Sequence, residues 1–121
     1  MLWWLVIRLL SDGGSSVRIP VAPAETLAVT MAGAGQPVVL IPGLFGSAFS
    51  FRKLVPLLTD EQYRTVVVEP LAVGSSSRPE RADYSLTAQA DRIAAVLDSL
   101  RIQDAVIVAH SLGAAMGFPP G

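Results

Sequence analysis

Three short apolar runs constrain this chain more than any other feature. Val38 to Ile41 reads VVLI, Tyr63 to Val68 reads YRTVVV, and Ala105 to Ala109 reads AVIVA. A strand with one wet face alternates apolar and polar residues; these runs do not, so each predicts a strand buried on both faces. Two helical stripes lie between them. Phe51, Leu54, Val55 and Leu58 recur at three- and four-residue steps, within a helix expected over 48–58 and capped by Ser47. Leu86, Ala90, Ile93, Val96, Leu97 and Leu100 do the same within a helix expected over 86–101, capped by Ser85. Strands that alternate with helices predict an α/β fold, a mostly parallel sheet with helices on its faces.

Two further strands precede this unit. Val17 to Val21 and Glu25 to Met31 flank the turn Ala22-Pro23-Ala24 and are expected as a hairpin, antiparallel at one edge of a sheet of about five strands. Ahead of them, residues 1–16 form an apolar leader and a Gly/Ser loop, which leaves 17–121 as one domain. In the leader no Lys or Arg precedes the apolar run, and Arg8 interrupts it. This is not the pattern of a secretory signal, although Ala22-Pro23-Ala24 has the form of a cleavage site. Ten residues also give little energy for seating Trp3 and Trp4 at a membrane surface. A cytoplasmic location is expected.

Composition removes several function classes. An apolar fraction of 51% against 16% charged residues argues against a disordered chain. With 9 basic and 10 acidic residues there is no basic field to attract a nucleic acid. No cysteine is present, which excludes disulfides, thiolate zinc sites and a Cys nucleophile. A single histidine, His110, excludes mechanisms that need two. Neither a metal nor a cofactor is expected.

The chemistry is concentrated at Ala109-His110-Ser111-Leu112-Gly113, directly after the third buried run. A serine in a small-x-Ser-x-Gly setting between strand and helix is a nucleophile elbow. The turn is so tight that the residues two before and two after the serine must be small. The serine is held in a strained backbone with its hydroxyl pointing out.

From these residues the chain resembles the α/β-hydrolase superfamily, over about 17–116. PVVLIPGLFGS resembles the family's first parallel strand and oxyanion loop. EPLAVGSSSRP resembles the next strand end and its loop, and DYSLTAQADRIAAVLDSLRIQDAVIVAHSLG resembles the helix, strand and elbow. The resemblance implies a hydrolase of esters or similar acyl bonds with Ser111 as nucleophile. It implies backbone amides of Leu44 and Leu112 as the oxyanion hole, with Phe45 as the competing choice for the first. It implies a small-molecule acyl substrate and no cofactor or metal. Because Ser stands at the elbow, it argues against the chemistry of members that use an Asp nucleophile.

The departures matter too. Pro42 stands where the family has His, Glu69 where it has Asp, Ala72 where it has Gly, and Ala109 where the elbow has its first Gly. Glu69 ends a strand, and a loop-anchoring role is expected for it rather than a catalytic one. Ser75-Ser76-Ser77 is expected to be plain loop. His110 adjoins Ser111, and the elbow directs adjacent side chains apart, so it is not expected to be the base. The family's acid and base follow the nucleophile in sequence. Ten residues follow Ser111, ending in Gly117-Phe118-Pro119-Pro120-Gly121, where adjacent prolines do not suit a helix. The expectation is an incomplete hydrolase fold, inactive by itself.

Two other readings are open. One is a non-catalytic remnant of a hydrolase gene. The other is a dinucleotide-binding unit, with strand, Gly43 and Gly46, helix, strand and the terminal acid Glu69; position 41 is Ile where that fingerprint needs Gly.

Overall fold

The computed structural model describes residues 15–43 and 45–110. Five strands form one sheet: β1 (Ser15–Ala22), β2 (Glu25–Ala32), β3 (Gln36–Ile41), β4 (Tyr63–Val68) and β5 (Val106–Ala109), in the spatial order β1-β2-β4-β3-β5. The expected hairpin is present, with β1 antiparallel to β2 at one edge. β2 also runs antiparallel to β4, whereas β3 runs parallel to both β4 and β5. A 3₁₀ turn (Ala48–Phe51) and helix α1 (Leu54–Asp60) link β3 to β4; helix α2 (Leu86–Ser99) links β4 to β5.

The unalternating runs sit where their composition requires. Val39, Ile41, Val66 and Val68 face one way and pack with Leu27, Val29, Leu71 and α2 residues Ile93 and Val96. Val38, Leu40 and Val67 face the other way and pack with Phe51, Leu54, Val55 and Leu58. Helices thus cover both faces, which lets a parallel sheet bury its strands fully. Leu40 is wholly buried in the smaller cluster. Leu40→Ala is expected to cost about 2–5 kcal/mol, read as a lowered urea midpoint with an unchanged m-value.

Three expectations need correction. The helix expected over 48–58 is two pieces. Pro56 has no N–H for the Arg52 carbonyl, and its ring would crowd that carbonyl in a continuous helix. The chain therefore closes a 3₁₀ turn and restarts at Leu54, with Pro56 in the first turn. Ser47 does cap the first piece, accepting from the Phe49 amide. The stripe on α2 is not wholly apolar: Leu86 is exposed, and the buried face includes Gln89 and Arg92. Gln89 is satisfied by a reciprocal pair, donating to the Leu71 carbonyl and accepting from its amide, each at 3.0 Å. Arg92 Nε donates to Glu25 Oε1 at 2.7 Å. The third correction concerns β5, where burial alternates and Val106 and Val108 are exposed. This strand pairs with β3 alone among the described residues.

Ser75-Ser76-Ser77 lies in a loop, as expected, and that loop is fastened. Ser76 is buried; its Oγ accepts from the Ala28 amide at 2.9 Å and donates to the Glu69 carbonyl at 2.6 Å. Ser77 Oγ accepts from the Thr26 amide at 2.9 Å. The run fastens the loop after β4 to β2. At the start of α2, Ser85 accepts from the Ala88 amide, and Asp83 accepts from the Ser85 amide. The bond from Ser85 holds the Asp83 carboxyl below its usual range.

Candidate active site

Open α/β sheets bind ligands outside the carboxyl ends of their strands, where the strand order reverses. Here the reversal falls at β3. From β3 the chain moves to β4 on one side, then returns to place β5 on the other. The loops after β3 and β5 therefore leave the same end of the sheet from neighbouring strands. The join is close, because the His110 amide donates to the Ile41 carbonyl at 3.2 Å and carries the pairing one residue past β5. The next residue in the chain is Ser111.

Ser111, Leu112 and Leu44 all lie outside the described residues, so the structure leaves those three expectations as they stand. What it does describe is their frame. Pro42 and Gly43 are buried, and a turn closes when the Gly46 amide donates to the Gly43 carbonyl at 2.9 Å. Phe45 is 99% exposed and Phe49 is exposed, stacked under the Arg52 guanidinium at 4.2 Å. Only Phe51 of the three nearby aromatics is core. The His110 side chain is exposed. Among the described residues no three His, Cys, Asp or Glu side chains converge as a metal site requires.

Among the described residues Glu69 is the most deeply placed charged group, 3% exposed. Its carboxylate accepts from two backbone amides, Ala48 at 3.0 Å through Oε2 and Ser75 at 3.4 Å through Oε1. These bonds span the loop after β3 and the loop after β4, which is the anchoring role expected of it. Gly74 makes the arrangement possible. Its φ is +56°, and a Cβ there would lie 1.5 Å from Oε2. Sequence reading found the acid but neither partner, since both contacts depend on how the loops fold back.

Ala72 also has a left-handed backbone, at φ +66°. A side chain costs about 1–2 kcal/mol there, and glycine recovers this less its larger unfolded-state entropy. Ala72→Gly is therefore expected to stabilise the chain by up to about 1 kcal/mol. A lowered thermal midpoint for this variant would contradict the backbone assignment.

The strand arrangement argues against the dinucleotide reading. In the usual dinucleotide fold the third parallel strand lies beyond the second. Here it lies beside the first, and two antiparallel strands precede the unit.

Comparison with known proteins agrees with this frame. The sequence profile of a family described as alpha/beta hydrolase fold matches residues 36–118. The uncharacterized hydrolase YugF of Bacillus subtilis is 35% identical over 78 residues, covering 64% of this chain and 28% of the relative. A cis-3-alkyl-4-alkyloxetan-2-one decarboxylase of Shewanella oneidensis is 33% identical over 89 residues, covering 71% and 28%. Among solved structures, an epoxide hydrolase from Vigna radiata superposes with a TM-score of 0.80 at 26% identity, covering 86% of this chain and 32% of that one. The chain thus spans about three tenths of the length of these relatives. Among the described residues no helix is long and apolar enough to cross a membrane.

Proposed function

This chain belongs to the α/β-hydrolase family, and from that premise we propose that it carries the nucleophile half of a serine hydrolase site for small acyl esters. The observation that carries the reading is the reversal of strand order at β3. It sets the end of β5 and His110 beside the end of β3, and Ser111 is the next residue in the sequence, which supports the reading. Ser111 attacks the carbonyl carbon, and its proton passes to a base. The Leu112 and Leu44 amides hold the oxyanion that forms. The tetrahedral intermediate collapses, the ester C–O bond breaks and the alcohol leaves with the proton held by the base; water then hydrolyses the acyl-serine to free acid and serine. The serine favours ester over epoxide or haloalkane substrates, because its attack on an epoxide or haloalkane carbon would leave an ether that water does not cleave, whereas attack on an ester carbonyl leaves a hydrolysable acyl-serine.

The 121 residues contain one histidine, adjacent to Ser111, and a nucleophile elbow directs adjacent side chains apart. The span therefore holds no second histidine to act as base, and by itself it is expected to be inactive. The site needs no cofactor, and a cytoplasmic setting suits the leader. The test is covalent labelling of the purified chain with an alkyl fluorophosphonate, with imidazole added as an external base. The expected result is a single adduct at Ser111 whose rate rises with imidazole and which Ser111→Ala removes. Adducts spread over other serines, or unaffected by Ser111→Ala, would refute the reading.

A further inference from the structure

We propose that Glu69 is the positioning residue of this site. Through it the end of β4 sets the loop after β3, which carries the Leu44 amide assigned above to the oxyanion hole. The inference rests on that reading for its consequence in catalysis, but the tether itself is independent of Ser111.

The geometry is specific. Glu69 closes β4, with its own amide bound to the Ala28 carbonyl at 3.0 Å and its carbonyl accepting from Ser76. The backbone beneath the side chain is therefore held on both sides. From this fixed base the carboxylate reaches Ala48, 21 residues earlier, at the start of the 3₁₀ turn. The loop after β3 is thus fastened at both ends, at Ile41 through the sheet and at Ala48 through Glu69. A buried carboxylate that accepts from backbone amides forms stronger bonds than a neutral acceptor. An oxyanion hole requires donors that are already in place when charge develops. A tether of this kind supplies that order without touching substrate.

Gly74 is part of the same device. The carboxylate occupies the space where any other residue would place its Cβ, 2.3 Å from the Glu69 Cδ. Substitution at Gly74 therefore displaces the carboxylate without altering Glu69.

The test is amide hydrogen exchange on the full 121-residue chain by NMR, comparing wild type with Glu69→Ala, Glu69→Gln, Glu69→Met, Gly74→Ala and Ser111→Ala. In Glu69→Ala and Gly74→Ala the Ala48 amide is expected to exchange about 10- to 100-fold faster, with a smaller rise at Ser75. The Val39 and Val67 amides in the sheet are expected to change little. Glu69→Gln keeps one oxygen acceptor and is expected to return Ala48 to within about threefold of wild type. A role limited to filling space also predicts recovery in Glu69→Gln, so Glu69→Met, of similar volume but without an oxygen acceptor, separates the two: it is expected to leave the Ala48 amide fast. Unchanged Ala48 exchange in Glu69→Ala overturns the proposal, as does an equal rise across the sheet in every Glu69 variant. If Glu69→Ala does not fold, the Gln and Gly74→Ala pair decides by the same criterion. Ser111→Ala is expected to leave Ala48 unchanged, so a wrong nucleophile and a wrong tether are read separately.

Discussion

Purified by itself, the 121-residue chain is expected to hydrolyse p-nitrophenyl acetate no faster than its Ser111→Ala variant. A triad enzyme without its base keeps only binding and the oxyanion hole, and loses on the order of 10⁴–10⁶ in rate. The only imidazole present is that of His110, whose amide is committed to the Ile41 carbonyl and whose side chain is exposed. In the proposed elbow, the side chain next to Ser111 is directed away from its hydroxyl. Initial rates over a range of ester concentrations, with the Ser111→Ala protein as baseline, make the measurement. Robust turnover that Ser111→Ala abolishes would mean that a base exists within the span.

The second large effect is on association. β5 is expected to make the isolated chain self-associate, so that size-exclusion chromatography with light scattering gives the mass of two or more chains. The strand is apolar, pairs only with β3 among the described residues, and leaves Val106 53% and Val108 39% exposed. No lysine, proline or inward charge blunts it. A free apolar edge of this kind templates strand pairing between chains. Val106→Lys and Val108→Lys are each expected to shift the protein toward a monomer, because a charged ammonium cannot be buried unpaired against a second chain. Oligomers that survive both substitutions but vanish when residues 1–10 are removed would assign the association to the apolar leader. A compact wild-type monomer would show that β5 needs no cover.

Most of the fold was legible because its signals are local. A β-branched run without alternation can be satisfied only by a strand with two dry faces, and Val38 to Ile41 and Val66 to Val68 are that strand pair. Ser47 and Ser85 announce helix starts through side chains that reach two or three residues ahead. The elbow motif is equally local, because its steric demand falls on residues two positions either side of Ser111. These features determine that the chain forms an α/β unit, and they single out Ser111 as its proposed nucleophile.

Tertiary structure decided what depends on residues distant in the chain. That β5 lies beside β3 rather than beyond β4, which brings the ends of those two strands together, follows from which strands find each other. The buried polar groups are of the same kind. Gln89 and Arg92 occupy positions where the helical period asks for apolar side chains. Their burial is tolerable only because Leu71 and Glu25, 18 and 67 residues away, supply partners. The serines after β4 read as loop until Ser76 meets Ala28, 48 residues distant. Glu69 reads as a strand-ending acid until Ala48 and Ser75 donate to it. Periodicity reports the faces that an element must bury. It does not report which distant hydrogen-bond partner satisfies a polar group on those faces, because that partner is chosen only when the sheet and its loops close.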